Sequence, residues 1–220
     1  MTALPPNGPG NPPTTLTVPA PPSPEEEARF LAALRSRDER AFNTLVTRYQ
    51  DRVYNLVYRF LGGQEEARDV AQEVFVTVFE KIETYRGESS LATWIFRIAT
   101  NHAKNRIKYL ARRHDRKQES FDAMPVQPAE SRFSAKVPRP DEAATQGELS
   151  ALVDRALAQL DEEQRIVVVL RDIEGQSYED IAAITGLQGG TVKSRIHRAR
   201  LRLKELLAPN VDPGSWGGGA

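Results

Sequence analysis

SYEDIAAITGLQGGTVKSRIHRARLRLKELL, from Ser177 to Leu207, is the stretch whose pattern decides the fold. Ser177 can cap the N–H groups that open a helix, and Asp180, three residues on, can reach back in a variant of the capping box. Ile181, Ala182 and Ala183 follow, and the two small alanines let a second helix approach closely. Gly186 tolerates the positive φ at which the first helix must stop. After Leu187-Gln188-Gly189-Gly190, Thr191 can start a second helix, in which Val192, Ile196, Ala199, Leu203 and Leu207 recur at helical spacing as one apolar face. The opposite side carries Thr191, Ser194, His197 and Arg198, edged by Lys193, Arg195, Arg200, Arg202 and Lys204. Glu205 is the only acidic residue of that helix. A capped helix, a glycine corner and a partner helix with one apolar and one basic face predict a helix-turn-helix.

Reading a major groove needs short polar or forked donors near the helix start, and cations farther along for phosphates. Lys193, Ser194, His197 and Arg198 suit the first role; Arg195, Arg200, Arg202 and Lys204 suit the second. A basic run by itself is most often a solvated face. The glycine corner and the matched apolar face are what turn the balance toward DNA.

The wording is also familiar. SYEDIAAITG followed by GTVKSRIHRARLRL closely resembles region four of the extracytoplasmic-function (ECF) sigma factors of the sigma-70 family. These are small bacterial subunits that direct RNA polymerase to promoters. The resemblance implies that Thr191, Lys193, Ser194, Arg195, His197, Arg198, Arg200 and Arg202 bind a −35 element. It also implies a second, unrelated helical domain earlier in the chain.

Composition allows this. The 220 residues suit two small domains plus tails. Thirty basic residues balance 30 acidic ones, so any nucleic-acid affinity must come from a local patch rather than bulk charge. Cys is absent, which excludes a disulfide scaffold and thiolate chemistry. No apolar run approaches the roughly 20 residues that span a bilayer. The Pro-rich start has neither a charged nor an apolar signal region, and a cytoplasmic protein is expected.

Residues 1–22, rich in Pro, Gly and Thr, are expected to be a disordered tail. Ser23-Pro24-Glu25-Glu26 signals a helix start, with Phe30, Leu31 and Leu34 on its apolar side. Asp38 begins another helix, whose apolar period from Phe42 to Phe60 breaks at Gly62-Gly63. A third is expected from Glu65 to Tyr85. Val70, Val74, Val78 and Ile82 form its apolar stripe, while Asp69, Glu73, Val76 and Glu80 line the far side, a pattern that in isolation reads as solubility. Tyr85 to Ser90 is a turn, with Ser89 or Ser90 capping LATWIFRIATNHAKNRIKYLARR. That helix buries Leu91, Ile95, Ile98 and Ala99. Arg97, Asn101, Lys104 and Lys108 recur on another side near Trp94 and Asn105. Cations, amides and a ring together suit an unpaired strand, although Trp94 taken singly is more often core. His102 falls on the apolar side and reads as a core histidine.

DVAQEVFVTVFEKI and RGESSLATWIFRIATNHAKN resemble region two of the same family. The first implies docking on the clamp helices of the polymerase largest subunit through Asp69, Gln72, Glu73 and Phe75, with Phe75 supporting from beneath. The second implies capture of the melted −10 element by Arg86, Ser89, Trp94, Arg97, Asn101, Lys104 and Asn105. The resemblance further implies contact of region four with the flap of the second-largest subunit, and silencing by an anti-sigma factor.

From Ala111 the apolar pattern collapses into a Pro-containing, mixed-charge linker. Periodicity resumes at Glu148 with Leu149, Leu152, Val153, Ala156, Leu157 and Leu160. Asp161 is expected to cap a helix reaching Glu174, in which Ile166 to Leu170 would also suit a buried strand; the cap and the lack of a partner strand favour helix. The expected architecture is all-α, with two small helical domains joined by a flexible linker. A region-2-like domain spans 23–112, a linker 113–146 and a region-4-like helix-turn-helix domain 147–208. A Gly-rich tail fills 209–220; its Trp216 could anchor an interaction, but an unstructured end is the simpler expectation.

Nothing points to catalysis or a cofactor. His102, His114 and His197 are dispersed, and no metal-ligand, phosphate-loop or nucleophile motif occurs. Two functions compete: a promoter-specificity subunit that bridges polymerase and promoter DNA, and a conventional repressor or activator whose first domain dimerises. A dimerisation module has no need of an acidic stripe beside a basic, amide-bearing one, whereas a bridge needs both.

Overall fold

The computed structural model describes residues 23–119 and 141–210. The tail expected over 1–22, most of the tail over 209–220, Trp216 included, and the middle of the expected linker lie outside them. The described residues form eight α-helices and no strand, none long and apolar enough to cross a membrane.

Helix α1 (Pro24–Arg35) opens with a reciprocal capping box. The Glu26 amide donates to Ser23 Oγ at 3.2 Å and the Ser23 amide to Glu26 Oε2 at 2.8 Å. Helix α2 (Glu39–Leu61) is capped by Asp38, which accepts from the Ala41 amide at 2.8 Å, and ends at Gly62 with φ 76°. A side chain there would be strained, so glycine is what lets the chain reverse.

Helix α3 (Gln64–Lys81) stops four residues short of the expected end and gives way to a 3-10 turn, Ile82–Thr84. Ile82 is buried all the same. Tyr85 cannot continue the helix because it holds the next loop together: its hydroxyl donates to the Ser89 carbonyl at 2.6 Å, and its own carbonyl accepts from Arg35 at 2.8 Å.

Helix α4 (Leu91–Glu119) is capped by Ser90, whose Oγ accepts from the Thr93 amide at 3.0 Å. It outruns the loss of apolar spacing at Ala111. Arg, Lys and Gln have high intrinsic helix propensity, so the helix need not stop where the apolar spacing does. Helix α5 (Asp141–Ala158) likewise begins seven residues before Glu148.

Helix α6 (Glu162–Val168) continues as a π-turn, Val169–Ile173, that the sequence does not announce. Ile166 to Leu170 are all buried in helix, so the strand alternative falls away. Asp161 occupies the N-cap position, yet its side chain makes no capping bond; its carbonyl simply accepts the first helical amide, from Arg165. Helices α7 (Tyr178–Thr185) and α8 (Gly189–Leu207) complete the second unit.

One continuous core joins α1–α4 to α5–α8. Arg59 meets Asp154 at 3.3 Å, and Arg52 meets Glu174 at 3.1 Å while lying 4.9 Å over the Phe96 ring. Thr93 Oγ1, nearly inaccessible, stands 3.2 Å from Asp180 Oδ1 and 3.3 Å from Gln176 Oε1. Arg165 donates to three carbonyls, those of Ala158 and Leu160 at 2.9 Å and, across the seam, that of Phe60 at 3.0 Å. Burial holds its guanidinium pKa below the ordinary arginine value.

Candidate nucleic-acid interface

In the second unit the helix-turn-helix is built as the residues dictate. Ser177 Oγ accepts from the Asp180 amide at 2.9 Å; the Asp180 carboxylate accepts the serine hydroxyl at 2.6 Å rather than the backbone N–H. Gly186 ends α7 at φ 73°. The corner is tighter than expected, because α8 starts at Gly189 with Gln188 as its N-cap. Thr191 therefore sits inside the first turn.

Val192, Ile196 and Ala199 are buried, with Leu203 and Leu207 half-buried behind them. Lys193, His197, Arg198 and Lys204 are exposed. Lys193 Nζ lies 5.8 Å from the Tyr178 ring centre. Ser194 is half-buried, its hydroxyl donating to the Thr191 carbonyl at 3.0 Å.

Three of the expected phosphate cations already have acidic neighbours. Arg195 meets Glu163 at 2.6 Å, Arg202 meets Glu205 at 2.9 Å, and Arg200 Nε donates to Asp172 Oδ2 at 3.0 Å, a bond that raises the Arg200 pKa. These partners orient the side chains. Ion pairs so open to water are worth little, about 1 kcal/mol or less, so a phosphate can displace the carboxylates.

The first unit offers a different surface. Thr84, Tyr85, Arg86, Glu88, Ser89, Trp94 and Arg97 line a cleft of about 320 Å³ between the α3–α4 loop and the start of α4. Gly87 (φ 77°) turns the loop. Trp94 is only 6% exposed and its ring sits 5.5 Å from that of Tyr85. It is thus a wall of the cleft and part of the core rather than an open stacking platform. Tyr85 was missed as a cleft residue: at the boundary between the expected third helix and the turn, nothing in its spacing marks a cleft. Farther along the same side of α4, Asn101, Asn105 and Lys108 are exposed and Lys104 is half-buried. Arg86 and Arg97 are exposed and Ser89 half-buried at the rim.

On α3, Asp69, Gln72 and Glu73 face water, while Phe75 is half-buried against the core. Val76 and Phe79 are exposed among them. Phe79 is held by Phe42, ring centres 4.7 Å apart, and by Arg37 at 5.0 Å. His102 is not a core histidine. It is half-buried and polar on both sides, with Nε2 at 2.9 Å from Thr77 Oγ1 and Nδ1 at 3.3 Å from Glu73 Oε2. Helical spacing put it near the apolar stripe, but α3 presents a hydroxyl and a carboxylate there.

The chain matches the family models for Sigma-70 region 2 over residues 45–113 and Sigma-70, region 4 over residues 150–203. It is 36% identical over 186 residues to the RNA polymerase sigma-H factor of Pseudomonas aeruginosa, covering 84% of this chain and 95% of that protein. It is 38% identical over 175 residues to the ECF RNA polymerase sigma-E factor of Escherichia coli, covering 79% and 90%. Among solved structures it resembles the sigma factor RpoE of Bartonella quintana, crystallised with the anti-sigma factor NepR, with a TM-score of 0.59 and 26% identity. That match covers 77% of this chain and 98% of the other. The chain with an acidic α3, a basic α4 cleft and a basic helix-turn-helix belongs to the sigma-70 family, as a sigma factor of the ECF type.

Proposed function

We propose that the chain binds core RNA polymerase and carries it to promoters, with each surface described above given one task. Asp69, Gln72 and Glu73, backed by Phe75, dock on the clamp helices of the polymerase. The cleft of Arg86, Ser89, Trp94 and Arg97, continued by Asn101, Lys104 and Asn105, takes the melted −10 strand. The α8 residues Thr191, Lys193, Ser194, Arg195, His197, Arg198, Arg200 and Arg202 take the duplex −35 element. Residues 23–112 and 147–208 are the two working domains. One observation carries the reading: the acidic row and the basic, amide-bearing face lie on adjacent helices of one unit, as a bridge between enzyme and DNA requires.

The chain supplies recognition and no chemistry of its own; phosphodiester synthesis belongs to the polymerase. It works in the cytoplasm, where chromosome and enzyme meet. An anti-sigma partner is part of the proposal, supported by the Bartonella relative that was crystallised with one.

Two substitutions separate the DNA tasks. Arg198→Ala should cost about 1–3 kcal/mol at the base pair it reads and relax preference there alone. Binding titrations on single-base variants of the −35 element check this, and equal weakening on every sequence refutes the assignment. Arg97→Ala with Lys104→Ala should impair open-complex formation more than closed-complex binding, because those cations meet phosphates only after melting. Permanganate reactivity of unpaired thymines reads the open state; equal loss of both states would contradict the single-strand role.

A further inference from the structure

Asp69, Glu73 and Thr77 stand one turn apart on α3, and His102 and Arg106 stand one turn apart on the face of α4 that packs against them. The two rows interlock. Arg106 Nη2 donates to Glu73 Oε1 at 2.8 Å and Arg106 Nη1 lies 3.9 Å from Asp69 Oδ2. His102 Nδ1 is 3.3 Å from the other Glu73 oxygen, and its Nε2 is 2.9 Å from Thr77 Oγ1. All bonds are satisfied together when Thr77 donates to Nε2 and the Nδ1–H donates to Glu73.

We infer that Arg106, with His102 beside it, is a positioning residue for polymerase docking: it presets the Asp69 and Glu73 carboxylates that the proposed function assigns to the clamp helices, and the inference rests on that assignment. Three observations support it. First, two carboxylates one turn apart repel, and a cation between them removes that penalty. Second, the exposures are ordered. The Arg106 side chain is 21% exposed, against 49% for Glu73 and 65% for Asp69, so the cation lies beneath and the carboxylates lie outside. Third, an ionised carboxylate offers about four acceptor sites, and each Glu73 oxygen spends one on α4. The outer sites stay open to an incoming Lys or Arg. Arg106 therefore anchors the docking row instead of competing for it, and Glu73 reaches the interface with its rotamer already chosen.

A plain structural tie between α3 and α4 would lower thermal stability without changing the affinity of the folded chain for core polymerase. The distinguishing experiment is a double-mutant cycle on the full chain, reading core-polymerase Kd by titration and fold by circular dichroism. Arg106→Ala should weaken binding about three- to ten-fold in the natural background and have no effect on binding in an Asp69→Asn/Glu73→Gln background. Unchanged or tighter binding, or equal weakening in both backgrounds, overturns the inference. Arg106→Lys, which keeps the charge but not the fork, is the second variant should circular dichroism find Arg106→Ala unfolded, and it should show a smaller loss with the same dependence on the carboxylates. A loss independent of them would equally overturn it. If Asp69→Asn/Glu73→Gln itself binds like the natural chain, the docking assignment falls and this inference with it. If that variant is weak while Arg106→Ala is not, only the inference falls.

Discussion

Reversing two charges, Asp69→Arg with Glu73→Arg, is expected to abolish co-purification of the chain with core RNA polymerase. Like charges brought together at an interface cost several kcal/mol, and each 1.4 kcal/mol is ten-fold in affinity. Two reversals at the centre of a docking row therefore remove binding at any practical concentration. The fold should survive. Both carboxylates are open to water, Asp69 65% and Glu73 49% exposed, so their pairs with Arg106 are of small worth. Far-UV circular dichroism checks that helical content is retained, and co-purification reads the loss. A variant that binds as the natural chain does would return the acidic row to a role in solubility.

The largest effect on stability is expected at Arg165. Replacing it with alanine strips three carbonyls of their donor at once, at Ala158, Leu160 and Phe60. The first two sit at the end of α5 and the third near the end of α2, where helix carbonyls lack intrahelical partners and the helix dipole favours a cation. At about 1 kcal/mol for each buried acceptor left bare, the loss is about 3 kcal/mol. For a chain of this size that lowers Tm by roughly 6–12 °C. Arg165→Lys should recover only part, since an ammonium cannot fork toward two helix ends. A thermal melt shifted by only a degree or two would mean that water replaces the guanidinium and that Arg165 does not hold the seam between the units.

The features legible in the sequence are those fixed within a few residues. Ser23, Asp38 and Ser177 cap helices because the amides they serve are three residues away, and Gly62 and Gly186 stop helices because a positive φ is a local demand. The all-α class and the helix-turn-helix follow from the same short-range chemistry. What sequence could not show is partnership across distance. Arg165 looks like one more charge on a short helix until α2 and α5 both end against it. Arg52 and Arg59 find their carboxylates, Glu174 and Asp154, more than 90 residues away. The π-turn after Val168 leaves no mark in a run of β-branched residues.

The same limit applies to the candidate site. Trp94 taken singly reads more often as core than as a stacking ring, and only the fold shows its ring turned against Tyr85 while it lines the cleft. Arg195 and Arg200 look like free phosphate ligands until α6 and the π-turn bring Glu163 and Asp172 to them. His102 reads as apolar because periodicity describes its own helix and says nothing of Thr77 and Glu73 on the next.

Run-off transcription with purified core polymerase, followed by sequencing of the transcript starts, tests the central claim most directly. With the natural chain added, starts should gather at promoters sharing one pair of −10 and −35 sequences, and with Asp69→Arg/Glu73→Arg added they should vanish. A chain that binds its DNA target, yet neither associates with the polymerase nor changes where transcripts begin, would contradict the account.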